Sequence, residues 1–180
     1  MAKKEITKQQ EAMIRVNQAG EYGAKQIYKG QLAVLGNTDE GPILRHMQEQ
    51  ELEHLQAYNR LAVQHSVRPT VLQPLWHVAG YVLGATTALM GKKAAHACTI
   101  AVEETIEEHY LQQMEELSSD TNKSAIQSEL HRTIHKCYQE EIEHKHISEE
   151  HGGREALAYE HLSKAIKGVS KLAIWLSSKI

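Results

Sequence analysis

The residues best suited to chemistry form one pattern that occurs twice along the chain. In each copy a single glutamate precedes a Glu-x-x-His motif, and each part falls on its own predicted helix. The six residues are Glu21, Glu51 and His54 in the first copy, and Glu103, Glu141 and His144 in the second. Because residues i and i+3 share a face of an α-helix, each Glu-x-x-His presents a carboxylate and an imidazole together. Four glutamates and two histidines on four helices are the ligand set of di-iron and di-manganese carboxylate proteins.

Helical phase separates these glutamates from their acidic neighbours. The selected glutamates continue the apolar stripes of their helices, as Glu21 does with Ile14 and Tyr28. The neighbours that fall on polar faces are Glu53, Glu104 and Glu143. Burying an unpaired carboxylate is costly, so four buried together require cations to neutralise them. Two ferrous ions would balance the four negative charges, and oxygen and nitrogen ligands suit iron or manganese.

Six helices are predicted to position these residues. Proline and glycine positions predict helices over 8–35, 42–65, 74–91, 93–117, 123–150 and 154–178, with a loop at 118–122. Their order indicates an internal three-helix duplication, with halves of about 8–91 and 93–178. We therefore expect an all-α fold, a ferritin-like four-helix bundle with two additional helices, as a single domain over 1–180.

Composition limits the classes of function. The chain has 20 basic and 23 acidic residues, a formal net charge of −3, which gives no basic excess for binding nucleic acid. Two cysteines, Cys98 and Cys137, make no disulfide framework and favour a reducing compartment. The first residues resemble neither a signal peptide nor a transit peptide. From these features we expect a complete, unprocessed chain, as in a bacterial cytoplasm.

Two segments have the composition of lipid-contacting helices. The segment from Pro69 to Gly91 has no charged side chain, and the last predicted helix places Leu162, Ile166 and Val169 opposite most of its lysines. Either segment alone fits ordinary core packing, and the second fits an interfacial helix equally well. Together they favour a surface that contacts a bilayer. An enzyme whose substrate dissolves in lipid needs such a surface, whereas an iron store does not.

Several segments resemble the demethoxyubiquinone hydroxylases of ubiquinone biosynthesis. The matching segments are AGEYGA at 19–24, YKGQLAVLG at 28–36, QELEHL at 50–55, VRPTVLQPLW at 67–76, ACTIAVEE at 97–104, HY at 109–110 and EEIEH at 140–144. The resemblance covers nearly the whole chain from about residue 11. It implies a membrane-associated, ferritin-like di-iron monooxygenase that uses O₂ and electrons from NADH to hydroxylate a polyprenyl demethoxybenzoquinol. Eukaryotic members have a targeting extension, whereas the first residues of this chain do not resemble a transit peptide. We therefore expect a bacterial protein at the cytoplasmic face of the cell membrane.

The resemblance also assigns residues. It places the iron ligands on the six residues named above, with Glu51 and Glu141 bridging two irons. Glu140 is an alternative to Glu141, but only Glu141 has a histidine three residues later. The family's His-Tyr pair, linked to electron delivery near the quinone, matches His109 and Tyr110; core packing is an equal alternative for Tyr110. Tail length, oligomeric state, the immediate electron donor and any lipid-binding partner protein are left open.

Three other interpretations compete with the hydroxylase. A ferritin-like iron store with ferroxidase activity predicts a large hollow assembly. A rubrerythrin-like peroxidase usually has a separate cysteine-ligated iron domain, which two isolated cysteines do not support. A helical scaffold would bind no iron, so replacing Glu51 with alanine would not change its metal content.

Overall fold

The computed structural model describes residues 6–119 and 124–180 and is all-helical over these ranges, which confirms the predicted all-α class. Its helices are α1 (Lys8–Leu35), α2 (Gly41–His65), α3 (Gln73–Leu89), α4 (Lys92–Ser119), α5 (Ala125–Glu150) and α6 (Tyr159–Lys179). A short 3₁₀ helix, Gly153–Glu155, lies between α5 and α6.

Local signals explain most of the helix ends. Thr7 caps α1 by accepting a hydrogen bond from the Gln10 backbone N–H, and the Gln10 side chain accepts one from the Thr7 backbone in return. Ser124 caps α5 through the backbone N–H of Gln127. Pro42 lies in the first turn of α2. A proline is favourable there because the first amides of a helix have no partner within the helix.

Two predicted boundaries were wrong. Helix α4 continues to Ser119, so its end includes the first part of the predicted loop; residues 120–122 of that loop, and residue 123 of the next predicted helix, lie outside the described residues. Helix α6 begins at Tyr159 and not at residue 154. Gly152 and Ala158 have positive φ angles of 78° and 55°, and these left-handed residues interrupt the helical path at both ends of the 3₁₀ turn.

The packing places four helices around one interior and two outside it. Helix α1 packs on α2, α4 packs on α5, and contacts between α1 and α4 and between α2 and α5 join the two pairs. Helix α3 packs mainly on α1 and also on α4, while α6 packs on α4 and α1. The interior includes an apolar core, with Ile14, Tyr58, Leu130 and Ile134 fully buried. All six predicted ligands lie on the inner four helices.

Glycines allow α3 to approach α1 at backbone distance. A β-carbon on Gly84 would lie 1.9 Å from the backbone oxygen of Ile27, and one on Gly30 would lie 2.2 Å from that of Tyr81. Gly84 on α3 and Gly30 on α1 therefore serve helix packing. Within the described residues, none of the helices combines the length and the apolar character needed to span a bilayer.

Candidate metal centre

The six predicted ligands meet in the interior as two overlapping groups. Glu51 and Glu141 belong to both groups. Glu21 and His54 complete the first, and Glu103 and His144 complete the second. Within each group the candidate ligand atoms all lie within 4.8 Å of one another. None of the six residues is more than 2% exposed. The rejected neighbours Glu53 and Glu143 are exposed, and Glu104 is partly exposed.

Both imidazoles direct Nδ1 at the carboxylates. The Nδ1 atom of His54 lies 3.2 Å from Glu141 Oε1 and 3.5 Å from Glu21 Oε2. The Nδ1 atom of His144 lies 3.1 Å from Glu141 Oε2 and 3.3 Å from Glu51 Oε1. The two carboxylate oxygens of Glu141 are thus divided between the two groups. This arrangement suits a bridging carboxylate.

The buried polar atoms of the centre lack hydrogen bonds to the described residues. Both oxygens of Glu51 and of Glu141, one oxygen of Glu21 and of Glu103, and the Nδ1 atoms of both histidines have no hydrogen-bond partner there. The imidazole–carboxylate approaches have ion-pair distances without hydrogen-bond alignment. An unsatisfied buried polar group costs about 1–3 kcal/mol, and more when charged. So many in one place fit a set of ligands to metal ions, which would satisfy them together.

The electrostatics of the centre also favour cations. Burial, and to a smaller extent repulsion from Glu141, raises the pKa values of Glu51 and Glu103 well above their usual range. Burial opposes the charge of Glu141 as well, but His144 and His54 lower its pKa to about 2. Burial opposes the charge of both imidazoles, but Glu141 and Glu21 raise the pKa of His54, and Glu141 and Glu103 raise the pKa of His144. Without metal, protons therefore neutralise the centre, and bound metal ions would replace them.

The outer nitrogens of the two histidines have different partners. His54 Nε2 lies 2.5 Å from Glu140 Oε2, and His144 Nε2 lies 2.9 Å from Gln50 Oε1. Glu140 therefore lies outside the ligand groups, and Glu141 occupies the position shared by both. Sequence reasoning missed Gln50 and considered Glu140 only as a substitute for Glu141. The available signal was position, since each residue directly precedes a shared glutamate.

Two tyrosines bind the outer glutamates across the centre. Tyr110 is buried and donates a hydrogen bond to Glu21 Oε1, and Tyr28 donates one to Glu103 Oε1 at 3.3 Å. Tyr28 was assigned to the core by sequence reasoning. His109 belongs to neither ligand group: its Nε2 lies 3.2 Å from Asn17 Oδ1, and burial lowers its pKa to about 4.

Two cavities lie beside the centre. An apolar cavity of about 330 Å³ lies between α1, α3, α4 and α6. Its lining includes Gly20 and Ala24 on α1, which precede and follow Glu21 in the sequence, and Val102 and Ile106 on α4, which precede and follow Glu103. A polar cavity of about 530 Å³ lies between α2 and α5. It reaches His54 and is lined by charged side chains, which are Glu53, Arg60, Glu129, Arg132 and Lys136.

Another group of ligand-type residues contains none of the six predicted ligands and differs from the centre. Glu40, His96 and His151 come together near the start of α2. Glu40 Oε2 lies 3.1 Å from His96 Nε2 and 2.6 Å from His151 Nδ1, while its other oxygen accepts from Lys92 Nζ at 2.8 Å. Ser148 Oγ lies 3.2 Å from His96 Nδ1. Hydrogen bonds among the residues themselves therefore satisfy this group, which explains its burial without a metal.

An all-helical protein with a buried carboxylate–imidazole centre able to hold two metal ions is the class defined by this fold and site. The chain matches the model of a family described as "Ubiquinone biosynthesis protein COQ7" over residues 8–177, and it belongs to that family.

Named relatives agree with this membership. The chain is 49% identical over 168 residues to the 3-demethoxyubiquinol 3-hydroxylase of Rhodospirillum rubrum, covering 93% of this chain and 76% of the relative. It is 48% identical over 171 residues to the mitochondrial NADPH-dependent 3-demethoxyubiquinone 3-hydroxylase of Dictyostelium discoideum, covering 94% and 77%. The human protein of that same name is 47% identical over 168 residues, covering 93% and 76%. These relatives are hydroxylating enzymes by name.

Proposed function

We propose that this chain is a di-iron monooxygenase that hydroxylates the ring of a polyprenyl demethoxybenzoquinol in ubiquinone biosynthesis. The observation that carries the proposal is the pair of overlapping ligand groups that share Glu51 and Glu141. Family membership supplies the reaction, since the relatives are named for this hydroxylation. We further propose that the four inner helices form a ferritin-like bundle within one domain, the fold in which such ligand sets occur.

Two iron ions at this centre would supply the activation of dioxygen. One oxygen atom enters the quinol ring as a hydroxyl group, and the other leaves as water with two electrons and two protons. The protein holds the ligands through Tyr28, Tyr110, Gln50 and Glu140. The electrons come from a nicotinamide nucleotide; the resemblance implies NADH, whereas several relatives are named as NADPH-dependent.

The apolar cavity is the proposed site for the quinol. Its wall includes Gly20 and Val102, the sequence neighbours of Glu21 and Glu103, so α1 and α4 form part of both the cavity wall and the metal centre. The rest of the wall comes from α3 and α6, including Leu83, Leu162 and Ile166. An isoprenoid tail is apolar and long, so it is expected to leave between these two helices. His109 and Tyr110 are proposed to assist electron delivery, with Tyr110 linked directly to Glu21.

The outer faces of α3 and α6 form the proposed membrane surface. Large apolar side chains are exposed on both helices, among them Leu75, Val78 and Val82 on α3 and Val169, Leu172 and Trp175 on α6. Exposed lysines, Lys164 and Lys171, lie on α6 and suit the headgroup region. A peripheral position at the cytoplasmic face of a bacterial membrane would bring the lipid-dissolved substrate to the cavity.

Metal analysis and complementation test the proposal. The purified protein should hold about two irons per chain, and the gene should restore ubiquinone in cells that accumulate the demethoxy precursor. Glu141→Ala should lose iron and fail to complement. Glu143→Ala is the matched control, because Glu143 lies on the same helix and is exposed. A hollow multimer that oxidises iron without any quinone would instead support a ferritin-like store.

A further inference from the structure

The contacts around the metal centre cross between the two halves of the chain. Tyr110 donates to Glu21, and Tyr28 donates to Glu103. Each tyrosine lies seven residues after the outer glutamate of its own helix and binds the one on the other helix. Each histidine also has a partner in the other half of the chain. Glu140, which precedes Glu141, contacts His54, and Gln50, which precedes Glu51, contacts His144. The two metal positions therefore have equivalent surroundings in these respects.

One pair of partners breaks this equivalence. The residue before Glu141 is Glu140, a carboxylate, and the residue before Glu51 is Gln50, a neutral amide. Glu140 is 2.5 Å from His54 Nε2, whereas Gln50 is 2.9 Å from His144 Nε2. Lys136 compensates Glu140 only in part. Its Nζ lies 3.4 Å from Glu140 Oε1 and 3.5 Å from Glu53 Oε2, and its side chain is 58% exposed.

A carboxylate and an amide affect a metal-binding imidazole differently. When Nδ1 faces a metal ion, Nε2 carries the hydrogen and donates to the outer partner. A carboxylate acceptor makes a bond about twice as strong as a neutral one and increases the electron density at Nδ1. Changing such an outer partner typically alters metal affinity about 10–100-fold.

We propose that the exchange of Glu140 for Gln50 makes the two metal positions unequal. The position at Glu21 and His54 binds metal more tightly and favours the more highly charged ion, and the position at Glu103 and His144 is the weaker one. This inference rests on the proposed metal centre. Glu140 and Gln50 are positioning residues that act through the imidazoles.

Variants that keep only one of the two metal positions intact test the inference. Glu103→Ala removes a ligand found only in the second group, and Glu21→Ala removes one found only in the first. In each variant the affinity for Co²⁺ is measured by competition with a chelator. We expect Glu140→Gln to weaken binding about 10–100-fold in the Glu103→Ala protein and to leave the Glu21→Ala protein nearly unchanged. Gln50→Glu should strengthen binding only in the Glu21→Ala protein.

A second measurement uses the complete ligand set. The intact protein loaded with two ⁵⁷Fe²⁺ ions should give two Mössbauer doublets, of which Glu140→Gln moves one and Gln50→Glu moves the other. A structural role for Glu140 would weaken both positions together. Equal effects on both positions, or no shift of either doublet, would overturn the inference while the metal centre stands. Failure of the unmodified protein to bind two ions would instead reject the proposed function.

Discussion

Tyr110 and Tyr28 are not candidate metal ligands, but each contacts one directly. Each is buried and donates its hydroxyl hydrogen to an outer glutamate of the centre. Such a bond stabilises the ionised carboxylate in the form that a metal ion requires. Burial, followed by repulsion from nearby glutamates, raises the pKa of both tyrosines, so they remain donors at neutral pH.

Removing the Tyr110 hydroxyl tests this role. Tyr110→Phe should lower metal affinity about 10–150-fold, because a hydrogen bond to a charged group contributes about 1.5–3 kcal/mol. The turnover per bound iron should fall further if Tyr110 also assists electron delivery. Metal competition and single-turnover rates measure the two effects. Tyr159→Phe, on the surface near Arg154, is the control. Unchanged affinity and unchanged turnover in Tyr110→Phe would contradict both roles.

Sequence reasoning could identify the candidate ligands but not all of their supports. Periodicity separates Glu103 from Glu104, because burial of a helix face repeats along the helix. The contacts of Gln50 with His144 and of Tyr28 with Glu103 join different helices. No local pattern reports them, and they depend on how the helices are placed in three dimensions. Glu40 was missed for the same reason, since its partners lie on α4 and near the end of α5.

At the scale of elements, the association of α3 with α1 depends on backbone contact. Gly84→Ala should destabilise the protein by about 1–3 kcal/mol, because its β-carbon would overlap the Ile27 backbone and force the helices apart. Gly168→Ala is the matched control in α6, where a β-carbon meets nothing within 4 Å. It should stabilise the helix by about 1 kcal/mol. Urea unfolding measures both, and a neutral Gly84→Ala would contradict the close packing.

The Glu40 group joins the start of α2 to α4 and to the end of α5. We expect it to make the free energy of unfolding depend on pH. Burial opposes its charge, but Lys92, His96 and His151 lower the pKa of Glu40 from 4.5 to about 2. A lowered carboxyl pKa contributes stability that is present above about pH 4.5 and is lost as the pH falls toward 2.

Glu40→Gln should therefore be less stable than the unmodified protein at neutral pH, and the difference should shrink as the pH falls through that window. Urea midpoints of both proteins, measured without added metal across the window, test this. A difference that stays constant with pH would show that the Glu40 charge does not stabilise the fold.

Helix propensity and turn residues predicted the helices well. The start of α6, however, depends on a left-handed alanine, a conformation that the sequence does not indicate. Gly152 is a familiar left-handed residue, whereas alanine rarely adopts the φ of 55° seen at Ala158. Arg154 is held beside this turn by Glu149 and Glu104, on α5 and α4. Tertiary contacts therefore decided where the last helix begins.

At the scale of the whole molecule, the apolar outer faces of α3 and α6 lie on the two helices that form much of the wall of the apolar cavity. Leu172→Asp should weaken binding to anionic lipid vesicles about tenfold or more, because it removes apolar area from the interface and adds a charge that anionic headgroups repel. Trp175 is 58% exposed on the same helix, and its fluorescence should shift to the blue when vesicles are added. Leu52→Asp is the control, since Leu52 is exposed on α2, away from both helices. Equal binding by all three proteins would contradict this surface.

Incorporation of labelled oxygen tests whether the metal centre hydroxylates the quinol with an atom from O₂. The iron-loaded protein is supplied with a demethoxyubiquinol, a reductant and ¹⁸O₂, and the product is analysed by mass spectrometry. We expect a hydroxylated quinone that carries one ¹⁸O atom, formed by the unmodified protein and by Glu143→Ala but not by Glu141→Ala. Protein that holds two irons yet forms no hydroxylated product, or product whose new oxygen comes from water, would contradict this expectation.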